Sequence, residues 1–223
     1  MSNDGTSVPH NGTSLGNPPV LYVPPGNGGG CVTEGPFKDM EVRLGPVASG
    51  LPGIVPPNPS PDGLGYNPRC LRRDISTFSA RTASTDQNST DLITQYPTIE
   101  GFQNVMQGGF NQGLPLLGVH TAGHFWVAGD PGGDLFASPG DPYFFLHHAQ
   151  IDRTWWLWQL QDPAGRLKGD NALGGTITLN NQPPSRETTV DDVVELGVNA
   201  PHGIKIGAAL DTLGGTPFCY VYA

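Results

Sequence analysis

Four of the six histidines in this 223-residue chain lie within 29 consecutive residues. The first two, His120 and His124, are four residues apart, so a helix would place both imidazoles on one face. A second pair, His147-His148, begins 23 residues after His124. Three neutral imidazoles from two neighbouring helices make a strong site for copper or zinc. The pattern predicts a helical metal centre, and it differs from the metalloprotease motif because no glutamate follows His120.

The spacing alone leaves open which residue of the second pair is the ligand. Neighbouring side chains on a helix point about 100° apart, so only one of His147 and His148 readily joins the first pair. The other is expected to pack or hydrogen-bond around the site. Asp152, four residues after His148, lies on the same predicted face and is expected to orient this neighbourhood.

The rest of the sequence predicts a fold that is mainly α, with extensive loops and short peripheral strands. Helices are expected near residues 85–96, 98–107, 114–127 and 141–161. Asp141-Pro142 is a typical helix start, an N-cap acid followed by proline at the first helical position. A short strand is expected at residues 40–44. Residues 1–30 are rich in glycine and proline and are interpreted as an exposed lead-in.

Charge and composition exclude several classes of protein. The net charge is −9, and no basic patch extends beyond Arg72-Arg73, which argues against nucleic-acid binding. No apolar run reaches the length of a membrane span. The first residues show no signal segment, whereas sequons at Asn11 and Asn88 are compatible with secretion, so the compartment is left unassigned. The three cysteines are far apart; one disulfide with one free thiol is favoured over three thiols, and the pairing stays open.

The motifs resemble the second copper-binding half of tyrosinases and catechol oxidases, the type-3 copper polyphenol oxidases. The similar segments around the histidines are residues 120–124, 141–148 and 151–155. Two further stretches, Cys31–Phe37 and Asn67–Asp74, resemble ascomycete members, and Tyr220-Val221-Tyr222 resembles the tyrosine motif that closes the family's core. The resemblance identifies residues 31–223 as the C-terminal half of a tyrosinase copper-binding domain, with half of its four-helix bundle.

The resemblance also implies roles for individual residues. It makes His120, His124 and His148 the copper ligands and therefore the catalytic, cofactor-binding residues, because the family uses the second member of the His-His pair. Four residues are expected to line the substrate pocket: Phe144 as an aromatic against the copper, Leu135 as a gate, Thr121 and His147. Many tyrosinases carry asparagine where this chain has Thr121, which favours o-diphenols over monophenols as substrates.

A complete family member holds two coppers and oxidises o-diphenols, in some cases monophenols, to o-quinones with dioxygen. In this sequence the two remaining histidines, His10 and His202, are isolated, so neither is expected to be a ligand. We therefore expect one copper per chain, a phenolic small molecule and dioxygen as partners, and a missing N-terminal half or a partner chain. With half of the bundle, apolar faces that include Leu116, Leu117, Trp156 and Leu157 are expected to lack half of their packing.

Two alternatives remain from the sequence. The chain is compatible with a truncated homologue that binds a single copper or zinc ion, has no independent oxidase activity and needs a partner chain. Three imidazoles also suit mononuclear zinc hydrolysis through an activated water. Against hydrolysis, the motif residues offer no positioned general base.

Overall fold

The computed structural model describes residues 6–15, 19–109, 117–199 and 202–223. Helices dominate, accompanied by short strands. The helices are α1 (Thr77–Ala83), α2 (Asp86–Gln95), α3 (Ile99–Gln107), α4 (Val119–Val127), α5 (Tyr143–Gln159), α6 (Pro163–Leu167) and α7 (Ile206–Ala209). The strands are β1 (Thr13–Leu15), β2 (Leu21–Val23), β3 (Asn27–Cys31), β4 (Glu41–Val42), β5 (Arg69–Cys70), β6 (Arg72–Ile75), β7 (Val193–Val194) and β8 (Ile204–Lys205).

The chain divides into two compact units. One comprises residues 1–90 and 104–151, and the other comprises residues 91–103 and 152–223. The first unit contains all four clustered histidines. No helix among the described residues is both long enough and apolar enough to cross a membrane.

The strands of the first unit pair in antiparallel twos: β1 with β2, β3 with β6, and β4 with β5. Residues before β1 extend the β3–β6 pair, since the Thr6 amide donates to the Cys31 carbonyl (3.0 Å). The interpretation of residues 1–30 as exposed is wrong for Gly28–Gly30, which are buried in β3. Glycine is needed there because a Cβ on Gly30 would lie 1.9 Å from the Thr6 hydroxyl oxygen.

Cysteine pairing follows from the same strands. Cys31 at the end of β3 and Cys70 in β5 form a disulfide with a Cα–Cα distance of 5.6 Å. Cys219 is free and exposed. One disulfide with one free thiol was favoured from the cysteine count, and the structure confirms it.

Helix α4 packs against α1 in the core of the first unit. Leu117, just before α4, is buried with Ala83 of α1 and Ala122 of α4. The expectation that Leu117 would lack packing is therefore wrong, because α1 and the β1–β2 pair cover this face. Leu116 lies outside the described residues, as does the start of the helix predicted from residue 114.

Two buried ion pairs connect β5 and β6 to the segment between α4 and α5. Arg73 binds both carboxylate oxygens of Asp141 (2.9 and 2.6 Å), and Arg69 binds both of Asp130 (2.6 and 2.8 Å). Asp141 Oδ1 also accepts the Tyr143 amide (2.9 Å), as an N-cap does at the start of α5. The two pairs therefore fix the position from which α5 begins.

The second unit is built around Trp158 of α5. Its ring stacks on Phe102 of α3 (4.7 Å between centroids), and its Nε1 donates to the Tyr96 carbonyl (2.7 Å). Helix α6 was not predicted; Asp162 caps it and Pro163 occupies its first position. Trp156 and Leu157 are half-buried.

Asp152, also in the second unit, has a different role from the expected one. Its Oδ2 accepts hydrogen bonds from the phenols of Tyr220 (2.7 Å) and Tyr222 (2.5 Å). The expectation that Asp152 orients the surroundings of His148 is therefore not met by these contacts. The carboxylate holds the C-terminal Tyr-Val-Tyr segment instead.

Candidate metal centre

Helices α4 and α5 bring the clustered histidines together in the first unit. His120 lies near the start of α4 and His124 one turn later, while His147 and His148 lie on α5. Helix α4 starts against the end of α3, where the Gly118 amide donates to the Gln107 carbonyl (3.3 Å). A Cβ on Gly118 would lie 2.1 Å from the Val105 carbonyl oxygen, so glycine permits this close approach.

Three imidazole nitrogens converge. His120 Nε2 lies 3.1 Å from His148 Nε2 and 3.2 Å from His124 Nε2. The rings of His124 and His148 are 5.1 Å apart between centroids. The structure thus gathers the three residues that the family resemblance implied.

The opposite nitrogen of each of these rings faces an oxygen acceptor. His120 Nδ1 donates to Gln107 Oε1 (2.6 Å), His124 Nδ1 to the Gly132 carbonyl (3.3 Å) and His148 Nδ1 to the Phe144 carbonyl (2.8 Å). These oxygens have no proton to give, so each Nδ1 carries one. In the neutral rings the Nε2 lone pairs therefore point at one another.

Burial favours the neutral forms of His120 and His124. It lowers the pKa of His120 to about 3, with further lowering from the neighbouring histidines. Burial also lowers the pKa of His124. Three inward lone pairs without protons between them repel, and a cation at that point relieves the repulsion. The donor set therefore fits a metal ion, and neutral nitrogen ligands suit copper or zinc.

His147 is held differently. Its Nε2 donates to the His120 backbone carbonyl (2.8 Å). Its ring is nearly parallel to those of His120 (5.5 Å, 8°) and Tyr143 (5.9 Å, 3°). Burial lowers its pKa to about 4. The edge of the ring fills the space at Gly123, where a Cβ would lie 2.0 Å from His147 Cε1.

Proximity alone does not separate His147 from His148. One nitrogen each of His120, His124 and His147 also lie within 4.8 Å of one another. The hydrogen bonds do distinguish the two residues: His147 Nε2 is engaged with a carbonyl, whereas His148 Nε2 faces His120 Nε2.

The other predicted pocket residues differ in their surroundings. Phe144 stacks on the His148 ring, with 3.8 Å between centroids. Leu135 is 75% exposed on the loop between α4 and α5. The Thr121 hydroxyl donates to the Gln107 backbone carbonyl.

Sequence reasoning missed three residues that support the histidines. Gln107 and Gly132 supply the acceptors for His120 and His124, and Gly123 makes room for His147. Gln107 precedes His120 by 13 residues at the end of another helix, so periodicity gave no signal. The glycine between two spaced histidines was a signal, because a helix interior disfavours glycine unless packing requires it.

Similarity to known proteins agrees with this geometry. The family model described as the common central domain of tyrosinase matches residues 1–161. The tyrosinase-like protein orsC of Emericella nidulans is 41% identical over 198 residues, covering 81% of this chain and 48% of that protein. The N-acetyl-6-hydroxytryptophan oxidase ivoB of the same fungus is 37% identical over 229 residues, covering 100% of this chain and 60% of that protein.

A solved structure has the same fold. The polyphenol oxidase (mutant G292N) of Thermothelomyces thermophila superposes with a TM-score of 0.85 at 40% identity, covering 99% of this chain and 58% of that one. The chain thus spans about half the length of the curated relatives it matches. With a matching family model, fungal relatives and a shared fold around the three-histidine cluster, this chain belongs to the tyrosinase family.

Proposed function

We propose that this chain carries one copper site of a fungal-type polyphenol oxidase, with His120, His124 and His148 as ligands. Enzymes of this family use copper and act on phenolic substrates with oxygen, and the homologues are oxidoreductases. The observation that supports the ligand set is the convergence of three Nε2 atoms whose rings each have Nδ1 hydrogen-bonded to an oxygen. Such outer partners fix the tautomer and orient the ring toward a metal.

His148 is the better third ligand on this evidence of hydrogen bonding. Recruiting His147 through Nε2 would break its bond to the His120 carbonyl inside the protein, and an unmade buried hydrogen bond costs about 1–3 kcal/mol. His147 instead supports His120 through the hydrogen bond to its backbone carbonyl and through the packing of the two rings. In this proposal residues 31–223 form the C-terminal half of a copper-binding domain, and residues 1–30 are the glycine- and proline-rich segment that leads into it.

With a second copper site present, the complete protein would oxidise o-diphenols: two diphenol molecules and one dioxygen give two o-quinones and two waters. Copper supplies the one-electron redox chemistry when bound. The chain's own residues hold the site neutral and oriented, and Phe144 forms one apolar wall beside His148. For Leu135, which is exposed on the loop, we keep the role of gate that the family resemblance implies.

Thr121 bears on the choice of substrate. Its hydroxyl is engaged with the Gln107 backbone carbonyl, so it is poorly placed to assist removal of a proton from a monophenol. We therefore favour o-diphenols over monophenols as substrates.

A second candidate is a single-metal homologue without oxidase activity of its own. It is favoured by the finding that the described residues contain one group of three metal-binding side chains. His10 lies 3.2 Å from Asp74, and His202 is exposed. In this case the exposed apolar side chains Leu135, Phe136, Phe145 and Leu146 would be covered by a partner chain.

Mixing this chain with the missing part of a polyphenol oxidase distinguishes the two candidate functions. The copper-loaded chain is combined with the separately produced part of the Thermothelomyces polyphenol oxidase that this chain does not match, and quinone formation from catechol is followed by absorbance. We expect activity from the mixture and none when His148→Ala replaces the wild-type chain. Silence in a mixture shown to associate and to hold copper would contradict the oxidase proposal and favour the single-metal candidate.

A further inference from the structure

We propose that Asp134 is a positioning residue for the three-histidine site and acts through the loop between α4 and α5. This inference rests on the proposed metal site. Asp134 follows Gly133 and precedes Leu135 on this loop, and it is 1% exposed. A buried carboxylate is stable only when hydrogen-bond donors or a counter-charge replace its water.

Four backbone N–H groups supply those donors. Oδ1 accepts from Phe136 (2.9 Å) and Ala137 (3.2 Å), within the loop itself. Oδ2 accepts from Val47 (2.7 Å) and Ala48 (3.1 Å), which precede Asp134 by more than 80 residues. Hydrogen bonds to a charged acceptor are about twice as strong as neutral ones. One side chain therefore ties the loop to a distant segment of the first unit.

Backbone packing reinforces this attachment. A Cβ on Gly50 would lie 2.9 Å from both the Gly133 Cα and the Gly129 carbonyl oxygen. The segment containing Val47 and the loop thus lie with their backbones in contact. Asp134 therefore holds the loop against the segment containing Val47 at a point where the two backbones meet without side chains between them.

The loop reaches the metal site through Gly132. The Asp134 amide donates to the Pro131 carbonyl (2.8 Å), closing a tight turn that contains Gly132. The Gly132 carbonyl accepts from His124 Nδ1 at 3.3 Å, which is slightly longer than the usual range for such a bond. A small displacement of the turn would break it. His124 would then lose the partner that fixes its tautomer.

The test is Asp134→Asn, which keeps the shape but replaces one acceptor oxygen by a donor that faces backbone N–H groups. In the metal-free chain, imidazole ¹H–¹⁵N correlation spectra report which nitrogen of His124 carries the proton. We expect His124 to lose its Nδ1-protonated form in the variant while His148 keeps its own. Mutating a residue that hydrogen-bonds a metal ligand typically lowers metal affinity about 10–100-fold. Because Asp134 acts on His124 indirectly, through the backbone, we expect Cu²⁺ affinity to fall about tenfold, at the low end of this range.

Asp74→Asn is the matched control. Asp74 is also a buried carboxylate that accepts a backbone N–H, from Gly26 (2.9 Å), but it holds β6 rather than the loop. A structural role alone would lower the melting temperature in both variants and leave the His124 tautomer and Cu²⁺ affinity unchanged. That result with Asp134→Asn would overturn the proposal.

Gly132→Ala provides a second route to the same carbonyl if Asp134→Asn does not fold. The added Cβ would lie 2.6 Å from the Ala128 carbonyl oxygen, so the turn must move. We expect the same change at His124, and an unchanged His124 in this variant would also overturn the proposal. If the wild-type chain binds no copper, the proposed function fails, yet the metal-free spectra still decide the role of Asp134.

Discussion

Replacing Gly123 by alanine tests whether the packing of His147 supports the site. The new Cβ would lie 2.0 Å from His147 Cε1 and 2.5 Å from each ring nitrogen. The ring cannot slide aside easily, because the rings of His120 (5.5 Å) and Tyr143 (5.9 Å) pack nearly parallel to it. Moving it would also break the bond from its Nε2 to the His120 carbonyl.

The expected loss of stability combines three effects. Overpacking a filled interior costs about 1–3 kcal/mol. Leaving a buried hydrogen-bonding group unpaired costs about 1–3 kcal/mol. Against these losses, alanine stabilises a helix interior by about 1 kcal/mol relative to glycine. The net is about 3 kcal/mol, which for a chain of this length lowers the melting temperature by about 6–12 °C.

Thermal unfolding followed by circular dichroism measures the effect. Gly101→Ala is the matched control, because Gly101 is also inside a helix and its added Cβ would meet the Thr98 hydroxyl at 3.0 Å and Tyr96 side-chain carbons at 3.7 and 3.9 Å. The control is expected to change stability by no more than about 1 kcal/mol. A melting temperature for Gly123→Ala within about 2 °C of the wild type would refute the packing argument.

Three further changes test other contacts. Gln107→Ala removes the acceptor for the first ligand ring and should weaken Cu²⁺ binding about 10–100-fold in a chelator competition, whereas Gln107→Glu keeps the acceptor and should restore most of it. Arg73→Met leaves the Asp141 carboxylate buried without its partner and should lower the free energy of unfolding in urea by about 3–5 kcal/mol; an effect under about 1 kcal/mol would contradict the assigned ion pair. Burial and the Asp152 carboxylate raise the pKa of Tyr220 to about 12. Asp152→Asn removes the negative charge that opposes tyrosinate, so alkaline titration at the tyrosinate absorbance should show a lower pKa for Tyr220, and an unchanged titration would contradict the contact.

The sequence predicted the elements whose signals are local. The histidine spacing placed the cluster on α4 and α5, and Asp141-Pro142 marked the start of α5, because helical period and capping residues act within a few positions. The same local rules also indicated the short strand that the structure shows as β4.

Contacts between distant segments were not predictable in the same way. Arg73 and Asp141 are 68 residues apart, and Gln107 reaches His120 from another helix. Periodicity carries no information about such pairs, since the fold alone brings them together. The burial of Gly28–Gly30 was missed for a related reason: a glycine run looks the same in a loop as in a strand against which another backbone packs.

The assignment of ligands is the central claim, and counting the copper bound by three forms of the chain tests it most directly. Purified wild type, His148→Ala and His147→Ala are titrated with Cu²⁺, and the metal retained after desalting is measured per folded chain. We predict one copper ion for the wild type and for His147→Ala, with a weaker affinity in the latter, and none retained by His148→Ala. Copper retained by His148→Ala and lost from His147→Ala would contradict the account and make His147 the third ligand.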